Sequence, residues 1–298
     1  MKWQHALKDY QLYLKIERGL SQNSIDSYVL DIKKLILFLE DNKIGISPIK
    51  ISSETIKAFV YEAAKTVNTR TQSRIISGLR SFFNYLMFED YRSDNPLELI
   101  ESPKIGRKLP DTLSEEEIDS LINAIDLSKP EGERNRAMLE TLYGCGLRVS
   151  ELTSLKLSDL FFEEGFIKIT GKGNKQRFVP ILNTTQKYIN IYRKEKRTHL
   201  NIQAGFEDTL FLNRRGKQLT RAMIFTIIKQ LAKKIGLKKS ISPHTFRHSF
   251  ATHLLQNDAD LRSIQLMLGH ESITTTEIYV HLDKSHLTEV VEKYHPRK

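Results

Sequence analysis

Residues 242–280 read SPHTFRHSFATHLLQNDADLRSIQLMLGHESITTTEIYV. Four of them, His244, Arg247, His270 and Tyr279, are of types that act on phosphates. A guanidinium grips two oxygens of one phosphate through its fork of donors. An imidazole moves or donates protons. A phenol is a nucleophile that can form a covalent phosphate ester and later release it. Each has an ordinary alternative as packing, cap or surface charge, so the way they are presented matters.

The local punctuation gives that presentation. Ser242 is a candidate N-cap, Pro243 suits a first helical turn, and Phe246, Phe250, Leu254 and Leu255 continue at helical spacing. His244 and Arg247 then share a face near a helix N-terminus, where anions are favoured. A second short helix is predicted from about Asp260 to Leu268, ended by Gly269. His270 follows at a turn. Ser272 can cap a third helix that carries Tyr279 near its end.

Two upstream stretches offer more of the same chemistry. Gly144 and Gly146 break a helix, and Leu147-Arg148-Val149-Ser150-Glu151-Leu152 starts another, which puts Arg148 in its first turn. Glu151 lies three residues on, as a surface ion pair or as a support for the Arg148 guanidinium. Farther along, Phe166 to Thr170 and Arg177 to Ile181 alternate around Gly171-Lys172-Gly173-Asn174. That is a β-hairpin carrying Lys168, Lys172, Lys175 and Arg177, either solvated or in contact with phosphates.

Taken together, H-x-x-R, L-G-H and the Tyr nine residues beyond resemble the signature of the tyrosine recombinase/integrase family, and G-L-R-V-S-E-L resembles its first arginine motif. Within that family the likeness is to bacterial Xer-type site-specific recombinases, and it covers nearly the whole chain. The resemblance implies a catalytic set of Arg148, Lys172, His244, Arg247, His270 and Tyr279, with Glu151 in support. Tyr279 would be the nucleophile, forming a 3′-phosphotyrosine with DNA. The two arginines would neutralise the charge on the non-bridging oxygens, work that metal ions do in other phosphoryl-transfer enzymes. Lys172 matches the family's hairpin general acid, with Lys175 as the alternative. His244 would assist proton removal from Tyr279, and His270 would hydrogen-bond the scissile phosphate. The resemblance also implies double-stranded DNA with a dif-like site as substrate, a second Xer recombinase in a heterotetramer, the FtsK translocase as activator, and chromosome-dimer resolution during cell division. An integrase of a mobile element shares the chemistry. No cofactor and no metal are expected.

The remaining chain must position these groups. Residues 1 to about 100 read as four amphipathic helices: Trp3 to Ile16, Ser21 to Glu40, a shorter one after a cap at Ser53, and Asn68 to Phe88. Residues 101–113 read as a linker. Ser114-Glu115-Glu116-Glu117 is a capping box opening a second domain, 114–298. The expected class is mainly α, an N-terminal helical DNA-binding bundle followed by a catalytic domain with a small β-hairpin. A last amphipathic helix, Ser285 to Lys293 with Leu287, Val290 and Val291, is expected to dock on a neighbouring subunit, as such tails do in the family.

Composition agrees with a polyanionic partner. The chain has 298 residues, a net charge of +10 and a pI near 9.4. Residues 1–100 hold 14 basic and 12 acidic side chains, so +8 of the +10 falls beyond them. The lone cysteine, Cys145, excludes an intramolecular disulfide. The charged N-terminus is no signal peptide, and a cytoplasmic location without membrane attachment is expected. Two other classes remain: a non-catalytic basic DNA-binding protein, and a metal-dependent hydrolase using His244, His248 and His253. A type IB topoisomerase would share the phenol chemistry but relax DNA.

Overall fold

The computed structural model describes residues 1–103, 111–171, 174–269 and 284–297, with side chains from 287 onward in the last stretch. The chain divides into two compact units, Met1–Lys108 and Leu109–Lys298. No helix among the described residues is long and apolar enough to cross a membrane.

The first unit is built from α1 (Trp3–Ile16), α2 (Gln22–Asp41), α3 (Ser53–Thr66) and α4 (Thr69–Phe88). Their apolar stripes meet in one core around Tyr10, Ile32, Leu35, Ile76, Leu79, Phe82 and Phe83. Tyr10 packs edge-on against Phe82 at 5.3 Å and donates its hydroxyl hydrogen to Ser81 Oγ at 2.8 Å. Asn68 caps α4 by accepting from the Thr71 N–H. The cap of α3 is Ser52, one residue earlier than the sequence suggests. Ser53 is occupied elsewhere, donating to the Pro96 carbonyl at 2.9 Å.

The second unit opens with α5 (Glu115–Asn123), capped by the expected Ser114/Glu117 box. Next come α6 (Gly132–Gly144) and the short α7 (Val149–Ser154). Three antiparallel strands follow: β1 (Leu160–Phe161), β2 (Phe166–Thr170) and β3 (Gln176–Pro180), in the order β1-β2-β3. The expected hairpin is β2–β3, with Ile167 opposite Val179 and Ile169 opposite Arg177. β1 is an addition, two residues being too few to show alternation. The helices α8 (Asn183–Ile191), α9 (Arg221–Lys234), α10 (Pro243–Gln256), α11 (Leu261–Leu268) and α12 (Lys284–Tyr294) complete the unit.

The core of this unit gathers Met138, Leu142 and Tyr143 of α6, Phe246 and Phe250 of α10, and Ile167, Ile169 and Val179 of the sheet in one buried cluster. Cys145 is fully buried there, and burial pushes its thiol pKa up to about 12. α12 corrects an expectation. Its Leu287, Val290 and Val291 lie in the core of its own unit, so the tail packs at home. Its apolar stripe fits a groove this chain itself supplies. His295 is fully buried against Tyr143 and Phe250, with centroids 4.8 and 5.4 Å away. Burial takes its pKa down to about 3. Arg297 pairs with Asp119 at 2.7 Å and Glu140 at 3.3 Å.

Candidate active site

α6 ends in a turn that only glycine makes cheaply. Gly146 has φ +57°, and a β-carbon there would meet the Phe250 ring at 2.4 Å. The chain is redirected so that Arg148 becomes the residue just before α7, in extended conformation. Glu151, one turn on, reaches back. Its Oε2 accepts from the Arg148 backbone N–H at 2.8 Å, and its Oε1 from Arg148 Nη1 at 2.9 Å. The i,i+3 pair seen in the sequence is therefore a buried support, with the Glu151 side chain 2 % exposed.

Arg247 arrives on the second turn of α10, about a hundred residues later. Ser242 precedes this helix, its N–H donating to Thr245 Oγ1 at 3.1 Å, with Pro243 in the first turn. Arg247 Nη1 donates to the Gly146 carbonyl at 2.9 Å and Nη2 to the Leu268 carbonyl at 2.5 Å. Its Nη1 also lies 3.8 Å from Glu151 Oε2. Arg148 Nη2 donates to the Gly269 carbonyl at 3.2 Å. Gly269 takes the left-handed conformation expected at the end of α11. Both arginines thus converge on one carboxylate and on the turn just ahead of position 270.

A third guanidinium corrects the sequence reading, which takes it as one of four hairpin cations, solvated or in contact with phosphates: it is buried. Arg177 of β3 clamps Glu151 with two parallel bonds, Nη1 to Oε1 and Nη2 to Oε2, each 2.9 Å. Its Nε donates to the Met267 carbonyl at 2.8 Å. The signal lay in the strand's own period. Arg177, Val179 and Ile181 share one phase, the buried one, whereas the neighbouring Gln176 is exposed.

Three cations around one carboxylate leave the cluster positive. Burial by itself raises the Glu151 pKa, but hydrogen bonds and charge from Arg177, and bonds from Arg148, hold it below the usual carboxylate value. Burial and the Arg148 charge bring Arg247 down to about 10, still cationic at neutral pH. Such a cluster binds an anion, and a phosphodiester has the size and charge for it.

Of the remaining expected residues, His244 is exposed in the first turn of α10, and Lys175 is exposed beyond the hairpin turn. Lys168 is held by Asp159 at 3.1 Å. Lys172, His270 and Tyr279 lie outside the described residues, as does the helix expected after Ser272. His248 is exposed, and among the described residues no three His, Cys, Asp or Glu side chains gather to hold a metal.

Residues 111–286 match the phage integrase family, and residues 7–90 match its N-terminal SAM-like domain. The chain belongs to the phage integrase family. Among its relatives, the tyrosine recombinase XerD of Oceanobacillus iheyensis is 44% identical over 295 residues, spanning 99% of this chain and 99% of the relative. Among solved structures, the XerH site-specific recombinase in a pre-cleavage complex with difH is 26% identical, with a TM-score of 0.70 over 89% of this chain and 78% of that one. A lambda integrase dimer on a COC′ core site reaches a TM-score of 0.72 over 91% and 96% of the two chains, at 19% identity, a likeness of fold. This integrase-family chain is a tyrosine recombinase with the mainly helical, two-part architecture of its relatives.

Proposed function

We propose that this recombinase cuts and rejoins double-stranded DNA through Tyr279, at a dif-type site, and so resolves chromosome dimers during cell division. The observation that carries the chemistry is the convergence of Arg148 and Arg247 on Glu151 from separate parts of the chain. The phenol oxygen of Tyr279 attacks the scissile phosphorus, and the bond from phosphorus to the 5′ oxygen breaks. The phenol proton leaves with help from His244, and Lys172 protonates the departing 5′ oxygen. Arg148 and Arg247 hold the non-bridging oxygens, joined by His270, as negative charge builds. The phosphotyrosine conserves the bond energy, so the reverse attack by a 5′ hydroxyl rejoins strands without ATP.

The likeness to XerD and to XerH bound to difH supports the dif-type reading. On that reading the enzyme acts in the cytoplasm as a heterotetramer with a second Xer recombinase, under the control of the FtsK translocase.

The test is a nicked suicide substrate that traps the adduct. Wild-type protein gives a covalent complex, and Tyr279→Phe gives none while still binding DNA. An adduct persisting in Tyr279→Phe overturns the assignment of the nucleophile. Sequencing the trapped DNA decides the biological task. A chromosomal dif-type site supports dimer resolution, whereas the ends of a mobile element make the chain an integrase.

A further inference from the structure

We propose that Arg177 is a positioning residue for the cleavage reaction, holding Glu151 and thereby presenting Arg148 and Arg247 to the phosphate; the inference rests on the phosphotyrosine reading above. Its side chain is only 5 % exposed, and all three of its nitrogens are engaged inside the protein. It therefore acts through others and does not touch DNA.

The geometry shows what it holds. Glu151 takes four close hydrogen bonds, two from Arg148 and two from Arg177. The Arg148 pair is local, an i,i+3 contact at a helix start, and such pairs alone are weak. The Arg177 fork comes from a different element, and the planar, bidentate geometry fixes the carboxylate in rotation as well as position. Arg177 is itself anchored on its far side by the Met267 carbonyl. Its side chain also fills the space beside Gly269, where a β-carbon would lie 3.1 Å from Arg177 Cδ. One side chain thus ties the β2–β3 hairpin to the start of α7 and to the turn after α11. All three segments carry residues expected to act on the phosphate.

There is a charge argument as well. Glu151 by itself would cancel one of the two charges that Arg148 and Arg247 offer a phosphate. The Arg177 cation offsets that carboxylate and leaves the pair at full strength. Loss of Arg177 should therefore hurt most when the phosphate carries its charge.

The experiment uses two suicide substrates, one with the ordinary scissile phosphate and one with a neutral methylphosphonate at that position. Single-turnover adduct formation and DNA affinity are measured for wild type, Arg177→Gln and Arg177→Lys, each at a temperature where its melting curve shows it folded. On the ordinary phosphate, Arg177→Gln should slow cleavage by about 10- to 100-fold, with affinity within about threefold of wild type. On the methylphosphonate the deficit should shrink to about threefold or less. Arg177→Lys, which keeps the charge, should recover most of the rate. Equal deficits on both substrates, no deficit on either, or failure of both variants to fold would each overturn the proposal. An inactive wild type would instead count against the recombinase chemistry.

Discussion

Glu151 is the residue on which the site turns. With its side chain 2 % exposed and ringed by guanidiniums, its removal strands buried positive charge. Glu151→Gln should destabilise the second unit by about 3–5 kcal/mol, read from denaturant melts of the isolated protein. The acid limb of stability should change too. Because the folded-state pKa is depressed, the Glu151 contribution is present above the ordinary carboxylate value and is lost as pH falls through the lower, folded one. Glu151→Gln should therefore narrow its gap to wild type as the pH is lowered through that acid window. A gap constant with pH would contradict the assignment. At this scale the sequence was partly legible. Arg148, Glu151 and Arg247 stood out by spacing. Arg177 did not, because a basic residue in a hairpin already rich in lysine reads as solvated until the phase of its strand is followed.

Among the elements, the turn between α6 and α7 decides where Arg148 goes. Gly146→Ala would place a methyl group against the Phe250 ring in a left-handed backbone, costing about 3 kcal/mol and displacing α7. A fall in the melting temperature, together with lost adduct formation, is the expected pair of results. Helices were the most legible part of the chain, since apolar stripes and caps such as Ser114 announce themselves. Where the reading slipped, the cause was local competition, as when Ser53 bonds Pro96 and leaves the cap to Ser52. α12 slipped for another reason. An amphipathic stripe says that a face is buried, but not in which molecule. Because Leu287 is buried in its own unit, Leu287→Ala should lower the stability of the free monomer by about 2–5 kcal/mol. Unchanged melting of the monomer would show the stripe to be idle until a partner arrives.

For the whole molecule, the charge of +10, mostly beyond residue 100, predicts an interaction dominated by phosphate contacts. With about six such contacts, affinity should fall about 10³-fold between about 50 and 200 mM salt, measured by fluorescence anisotropy on labelled duplex. A flat dependence would point away from backbone contacts. The family was legible here, because motifs survive in one dimension. The carboxylate joining three arginines was not, since contacts between positions 151, 177 and 247 exist only after folding.

The single sulfhydryl at Cys145, buried in the core of the second unit, has a practical corollary. A thiol reagent has nothing to attack in the native fold, so any cysteine introduced on the surface becomes a unique attachment point for a dye or spin label. The same burial makes the slow uptake of reagent by the parent protein a clock for how often its second unit opens to water.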